Sequence, residues 1–187
     1  MCYYSKKFGF KPAEGDVRAC KMLAVRKVNG IWWLYSPYQN LCYGKLFDKN
    51  REVVIARGEM PTEEYTRAYN NEGYAINDGV LHSYHPAFAA YMDWYNLFSA
   101  VIPKGTLYMT NDKEMVSRTL KITGIPKLKH LLHNATVVDS SNKLSYESQD
   151  GDYVDTVGLV HNPKVLSFKD KIDLIWNYFK YRLKGEK

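Results

Sequence analysis

The hydrophobic pattern changes period along the chain. From Phe168 on, the apolar positions Phe168, Ile172, Ile175, Trp176, Phe179 and Leu183 recur at helical spacing and form one apolar stripe. Ser167 stands before this run and Asp170 three residues further on. Together they form a capping box, with aspartate replacing the usual Glu or Gln. The pattern predicts an amphipathic C-terminal helix whose stripe packs on a sheet. On that reading Trp176→Ala empties a buried site and costs about 3–5 kcal/mol. Lys169, Lys171, Lys180, Arg182 and Lys184 lie mostly off the stripe. A helix lying on a membrane surface shares this pattern, but Asp170, Asp173 and Glu186 dilute the positive charge and favour sheet packing.

Elsewhere the period is that of strands and turns. Asn29-Gly30 stands between CKMLAVRKV and IWWLYS. Asn-Gly supplies the positive φ values of a type I′ turn, and both flanks are rich in strand formers. A two-residue loop sets Val28 opposite Ile31, Arg26 opposite Trp33, and Ala24 opposite Tyr35. Asp78-Gly79 and Asp150-Gly151 are read as two further hairpin turns. Other predicted strands are Arg51–Ala56, Val80–Tyr84, Phe98–Ile102, Thr106–Met109, Arg118–Thr123 and Ala135–Asp139. A second helix runs from Pro86 to about Asn96, since proline suits the first helical position. A third begins near Thr62, with Glu63 and Glu64 in its first turn. KLKHLLHN, after Gly124-Ile125-Pro126, is a further short helix.

Hairpins with scattered helices and no alternating βαβ rhythm give an α+β class. The expected architecture is a mostly antiparallel sheet built from hairpins, with two or three packed helices including the C-terminal one. Residues 1–187 read as a single domain, with 126 as the point where a small C-terminal subdomain would begin.

Composition sharpens this picture at three points. The chain has 16 tyrosines and 4 tryptophans among 187 residues, and tyrosine is enriched at interfaces and pockets. The net charge is +6. Residues 1–60 carry eleven Lys or Arg against five Asp or Glu, a basic face rather than a nucleic-acid tract, because no run of like charges occurs. Cys2, Cys20 and Cys42 are odd in number and lack paired metal-ligand spacing. The N-terminus lacks an apolar leader, and no stretch reaches about 18 apolar residues. The expectation is a cytoplasmic protein with free thiols and no membrane partner.

Candidate chemistry is sparse. His82/His85 and His130/His133 each have His-x-x-His spacing. On a helix that spacing shares a face, but on a strand it does not. His85 precedes Pro86 and is pushed extended, so no metal site is expected. No nucleophile elbow, phosphate loop or dinucleotide fingerprint is present, and no cofactor is expected. The expected ligand or partner surface joins Arg26, Trp33 and Tyr35 of the Asn-Gly hairpin to His82 and Tyr84 of the strand Val80–Tyr84. Aromatics beside basic groups suit a nucleotide, an acidic host protein or, with less support, a nucleic acid. A homo-oligomer is compatible with the same aromatic surface.

Three stretches carry a resemblance. They are Met1-Cys2-Tyr3-Tyr4-Ser5, Gly79-Val80-Leu81-His82-Ser83-Tyr84 and Ile102-Pro103-Lys104-Gly105-Thr106-Leu107-Tyr108. They resemble a family of small uncharacterised accessory proteins of bacteriophages and gut bacteria, with one extra residue between the glycine and the histidine. The resemblance implies a non-catalytic, phage-type accessory or anti-defence protein. The element order is also similar to an ADP-ribosyltransferase core. That likeness implies an NAD-using enzyme with Arg26, Ser83 and Glu114 as catalytic residues, although the family's Ser-Thr-Ser and Glu-x-Glu motifs are absent.

Overall fold

The computed structural model describes residues 3–37, 41–67, 73–92, 96–138 and 164–184. The chain divides into two compact units, and it crosses between them three times. The first unit opens with β1 (Tyr3–Ser5), β2 (Lys11–Pro12) and β3 (Val17–Met22). At Leu23 the chain enters the second unit and forms β4 (Ala24–Val28), β5 (Ile31–Tyr35) and β6 (Cys42–Lys45). It returns at Arg51 for β7 (Val54–Ile55), α1 (Glu63–Thr66), β8 (Tyr74–Ile76), β9 (Leu81–Tyr84) and α2 (Pro86–Ala89). β10 (Leu97–Ile102), β11 (Leu107–Thr110), β12 (Glu114–Ser117) and β13 (Thr119–Ile122) complete the first unit. After Pro126 the second unit resumes with α3 (Leu128–Asn134), β14 (Ala135–Val138), β15 (Lys164–Val165) and α4 (Phe168–Leu183). The class is α+β with mostly antiparallel pairing.

The first unit is an eight-stranded sheet in the order β2-β11-β12-β9-β3-β10-β13-β7, with β1 and β8 paired separately. Its best-matched pair is β3 with β10, in register from Met22 opposite Leu97 to Val17 opposite Ile102. Phe98, Ile102, Val116, Leu120 and Ile76 are fully buried. Turn chemistry sets the register at the β11–β12 hairpin. The Asn111 side-chain oxygen accepts from the Lys113 and Glu114 amides at 2.8 and 2.7 Å, an Asx turn. Ile102-Pro103-Lys104-Gly105-Thr106 also forms a turn, closed by the Thr106 amide donating to the Pro103 carbonyl at 3.1 Å. Gly105 sits at its third position with φ 82°, which glycine adopts without strain. The IPKGT stretch therefore carries a backbone geometry.

The second unit is a five-stranded sheet in the order β15-β14-β4-β5-β6. Asn29 and Gly30 have φ of 50° and 78°, and the hairpin register pairs Val28 with Ile31, Arg26 with Trp33 and Ala24 with Tyr35. That is the register expected from the sequence. β14 joins β4 in parallel, with Thr136 beside Arg26.

Three local expectations change. Asp78-Gly79 does not join a hairpin: β8 pairs with β1, whereas β9 pairs with β12 and β3. Gly79 instead lets two loops approach, because a Cβ there would run into the Glu59 carbonyl. The second helix is a single turn, Pro86–Ala89, capped by His85, whose Nδ1 accepts from the Ala87 amide at 3.3 Å. The largest change concerns α4. Its capping box forms as expected, but Phe168, Ile172, Trp176, Phe179 and Leu183 are exposed. The buried positions are Leu174 and Tyr178. The helix packs through its polar side because Lys27 bridges Asp170 at 3.1 Å and Asp173 at 2.6 Å, while the Trp32 indole donates to Asp173 at 2.9 Å. The Asp150-Gly151 turn, Cys2 and Tyr38 lie outside the described residues.

Candidate functional site

The pleat of the β4–β5 hairpin sorts its side chains onto two faces. Lys27 and Trp32 reach α4; Trp32 is buried, and so are Val25 and Leu34 on the same side. Arg26 and Trp33 face each other across the strands on the other side, followed by Tyr35 and by Lys45 of β6 opposite Trp33. The adjacent tryptophans thus divide the two roles, Trp32 as core and Trp33 as a half-buried face residue.

That second face is built from stacked cations and rings. The Arg26 guanidinium lies 5.2 Å from the Tyr35 ring centroid and the Lys45 ammonium 5.7 Å from the Trp33 ring. Burial lowers the Arg26 pKa and raises that of Tyr35, yet a guanidinium stays charged at any physiological pH. A guanidinium carries its N–H donors in its plane, a geometry that suits an anion. Among the described residues no carboxylate forms an ion pair with Arg26. Nearby, an open cleft of about 370 Å³ is lined by Gly30, Ile31, Trp32, Lys45, Phe47, Asp48 and Asn177.

His82 and Tyr84 belong to the first unit, whereas Arg26, Trp33 and Tyr35 belong to the second. Tyr84 is buried among Met22 and Ala89, with its ring 6.1 Å from Phe88. His82 Nε2 donates to the Asn77 carbonyl, 3.3 Å away. Its backbone carbonyl accepts from the Lys21 ammonium. Burial, then the Lys21 charge, pushes the imidazole down to about 4, so His82 is neutral at pH 7. Burial pushes Lys21 itself down to about 8. Ser83 is buried and donates to the Met115 carbonyl at 3.4 Å. GVLHSYH is thus an interior strand running into a helix cap.

The residues suggested by the transferase likeness do not share a face. Ser83 pairs with Met115, and Glu114 pairs with Tyr84, so adjacent positions send Ser83 and Glu114 to opposite sides of the sheet. Arg26 lies in the other unit. His130 and His133 both lie on α3, and among the described residues no group of three or more His, Cys, Asp or Glu side chains could hold a metal ion.

Two features of the site were not read from the sequence. Lys45 follows β5 by ten residues, and only the β5–β6 register sets it beside Trp33. The inward turn of Asp170 and Asp173 depends on Lys27, more than 140 residues away in the chain. The chain matches no protein-family model, no curated protein and no solved structure.

Proposed function

We propose that the protein acts by binding, as an accessory protein of phage type, and that Arg26, Trp33, Tyr35 and Lys45 form its ligand face. The ligand is an anion with a flat ring, a nucleotide in the first instance, or an acidic segment of a host protein. The observation that carries this reading is the half-buried Arg26 stacked on Tyr35 with no acidic partner among the described residues. Its N–H edge suits a phosphate or carboxylate, and the Trp33 ring offers a stacking platform. Tryptophan emission, titrated with nucleoside triphosphates and with a short oligonucleotide, tests it. A nucleotide is expected to quench the emission saturably, and Arg26→Met should weaken binding by roughly tenfold or more, the loss of one charge-assisted hydrogen bond. An oligonucleotide response that falls steeply with salt would mark nucleic acid as the ligand instead. No response to nucleotides, together with capture of host proteins that Arg26→Met leaves unchanged, overturns the reading. Transfer of label from NAD to protein would replace it with catalysis.

A further inference from the structure

α4 meets its own unit with one side only. Leu174 and Tyr178 are buried there, and Asp170 and Asp173 bind Lys27. At 3.6 residues per turn, Phe168, Ile172, Trp176, Phe179 and Leu183 lie on the opposite side. Their exposures are 80, 51, 62, 53 and 69%. The stripe runs the whole 16-residue helix, about 24 Å at 1.5 Å per residue. A contiguous apolar patch of this kind marks an interaction surface.

Charge selects what covers it. Lys169, Lys180 and Lys184 follow one border of the stripe, and Lys171 and Arg182 follow the other. All five are exposed, and among the described residues none forms an ion pair. The helix's two acids are the ones turned inward to Lys27. Among the described residues of the helix, the outer side is therefore apolar along its centre, cationic along both edges and without a carboxylate. Along the sequence, Asp170, Asp173 and Glu186 dilute this charge; the fold turns Asp170 and Asp173 to Lys27, and Glu186 lies outside the described residues. Lys180 also lies 5.2 Å from the Trp176 ring, an aromatic with a cation beside it.

A second copy fits this face poorly, because two such helices would set their cationic edges against one another. A helix-binding groove on a protein fits poorly too, because it wraps a helix that here is already held from behind. A flat surface, anionic above and apolar below, satisfies both the stripe and its edges. We propose that α4 is an interfacial helix that lays Phe168, Ile172, Trp176, Phe179 and Leu183 into the surface of an anionic lipid bilayer, with the flanking lysines and Arg182 on the headgroups. No helix among the described residues is long and apolar enough to cross a membrane, and none is required to.

The full-length protein is sedimented with vesicles of phosphatidylcholine alone and with about one third phosphatidylserine added, at low and high salt. Binding to the anionic vesicles is expected to exceed binding to the neutral ones at least tenfold and to weaken with salt. Tryptophan emission should shift to the blue on binding. Lys171→Gln should lower affinity about fivefold, the effect of one cation near the headgroups. Trp176→Glu should lower it at least tenfold. Phe179→Glu repeats that test at a second exposed position, and a thermal melt checks that each variant folds. No sedimentation with anionic vesicles at low salt overturns the proposal. So does equal binding by both glutamate variants. A concentration-dependent dimer that Trp176→Glu abolishes, without vesicle binding, assigns the stripe to a second copy and overturns it as well.

Discussion

His82 shows how one residue changes meaning once its neighbours are known. Beside Ser83 it reads as a candidate for chemistry, but its strand is interior and its imidazole is held down at about 4 against an ordinary 6.5. The folded protein keeps His82 neutral, while the unfolded chain takes up a proton below pH 6.5. Stability from this group is therefore complete above pH 6.5 and is lost as the pH falls toward 4. Each tenfold difference in proton affinity between the folded and unfolded chain is worth about 1.4 kcal/mol, so the loss is at most about 3.5 kcal/mol. Urea midpoints of the wild type should fall across that window, and those of His82→Gln should fall less. Parallel slopes would mean that another group titrates. Gly79, three residues earlier, makes a separate point. It has φ 69° and no room for a Cβ beside the Glu59 carbonyl. The Arg118 guanidinium holds the two loops together by donating to the Gly79, Gly58 and Glu59 carbonyls. Gly79→Ala is expected to lower stability by about 2 kcal/mol or more. A thermal midpoint within a degree of the wild type would show that the loop relaxes without cost.

Elements were legible where local rules suffice. The Asn29-Gly30 hairpin needs only a two-residue turn and alternation, and its register follows from the sequence. The caps at Thr62, His85-Pro86 and Ser167 are likewise local. The direction in which α4 turns its stripe is not local. An apolar stripe at helical spacing is normally core, but Lys27 and Trp32 bond the acids on the other side and fix the rotation. β12 is hidden in the sequence for a related reason: EMVS is too short to show a period, and its place in the sheet is set by pairing with β9 and β11 on either side. The orientation of α4 makes a paired prediction. Leu174→Ala should cost about 2–4 kcal/mol, because the side chain is fully buried, whereas Trp176→Ala at an exposed site should cost less than about 1 kcal/mol. Denaturant titration of both variants checks the order. The reverse order would put the stripe back in the core.

At the scale of the whole molecule the sequence marks one crossing and hides the others. Gly124-Ile125-Pro126 is punctuation that a reader can see, and the chain leaves the first unit just after it. The crossing at Leu23 falls inside an unbroken strand-like run, CKMLAVRKV, because only Leu23 separates β3 from β4. Nothing local distinguishes Met22, the end of one sheet, from Ala24, the start of another. The candidate ligand face is affected in the same way. The five residues expected from the sequence look like neighbours in an ordered hairpin and strand, yet they divide three and two between the units. The division has a consequence for truncation. Residues 1–126 keep every strand of the eight-stranded sheet. The same fragment strips the second unit of α3, α4, β14 and β15. Lys27 then loses both aspartates, Trp32 loses its acceptor, and β4 loses the β14 ladder along Val25 to Val28. A three-stranded remnant with Val25, Trp32 and Leu34 uncovered is too small to hold its own fold. In limited proteolysis the 1–126 fragment should be cut within 23–50 while β3, β9 and β10 stay protected. Hydrogen exchange should show the same contrast, with protection retained at Phe98 and Val116 and lost at Val25 and Leu34. Protection of 23–50 equal to that in the full chain would mean that the hairpin draws its stability from elsewhere and that the two units are not separate in energy.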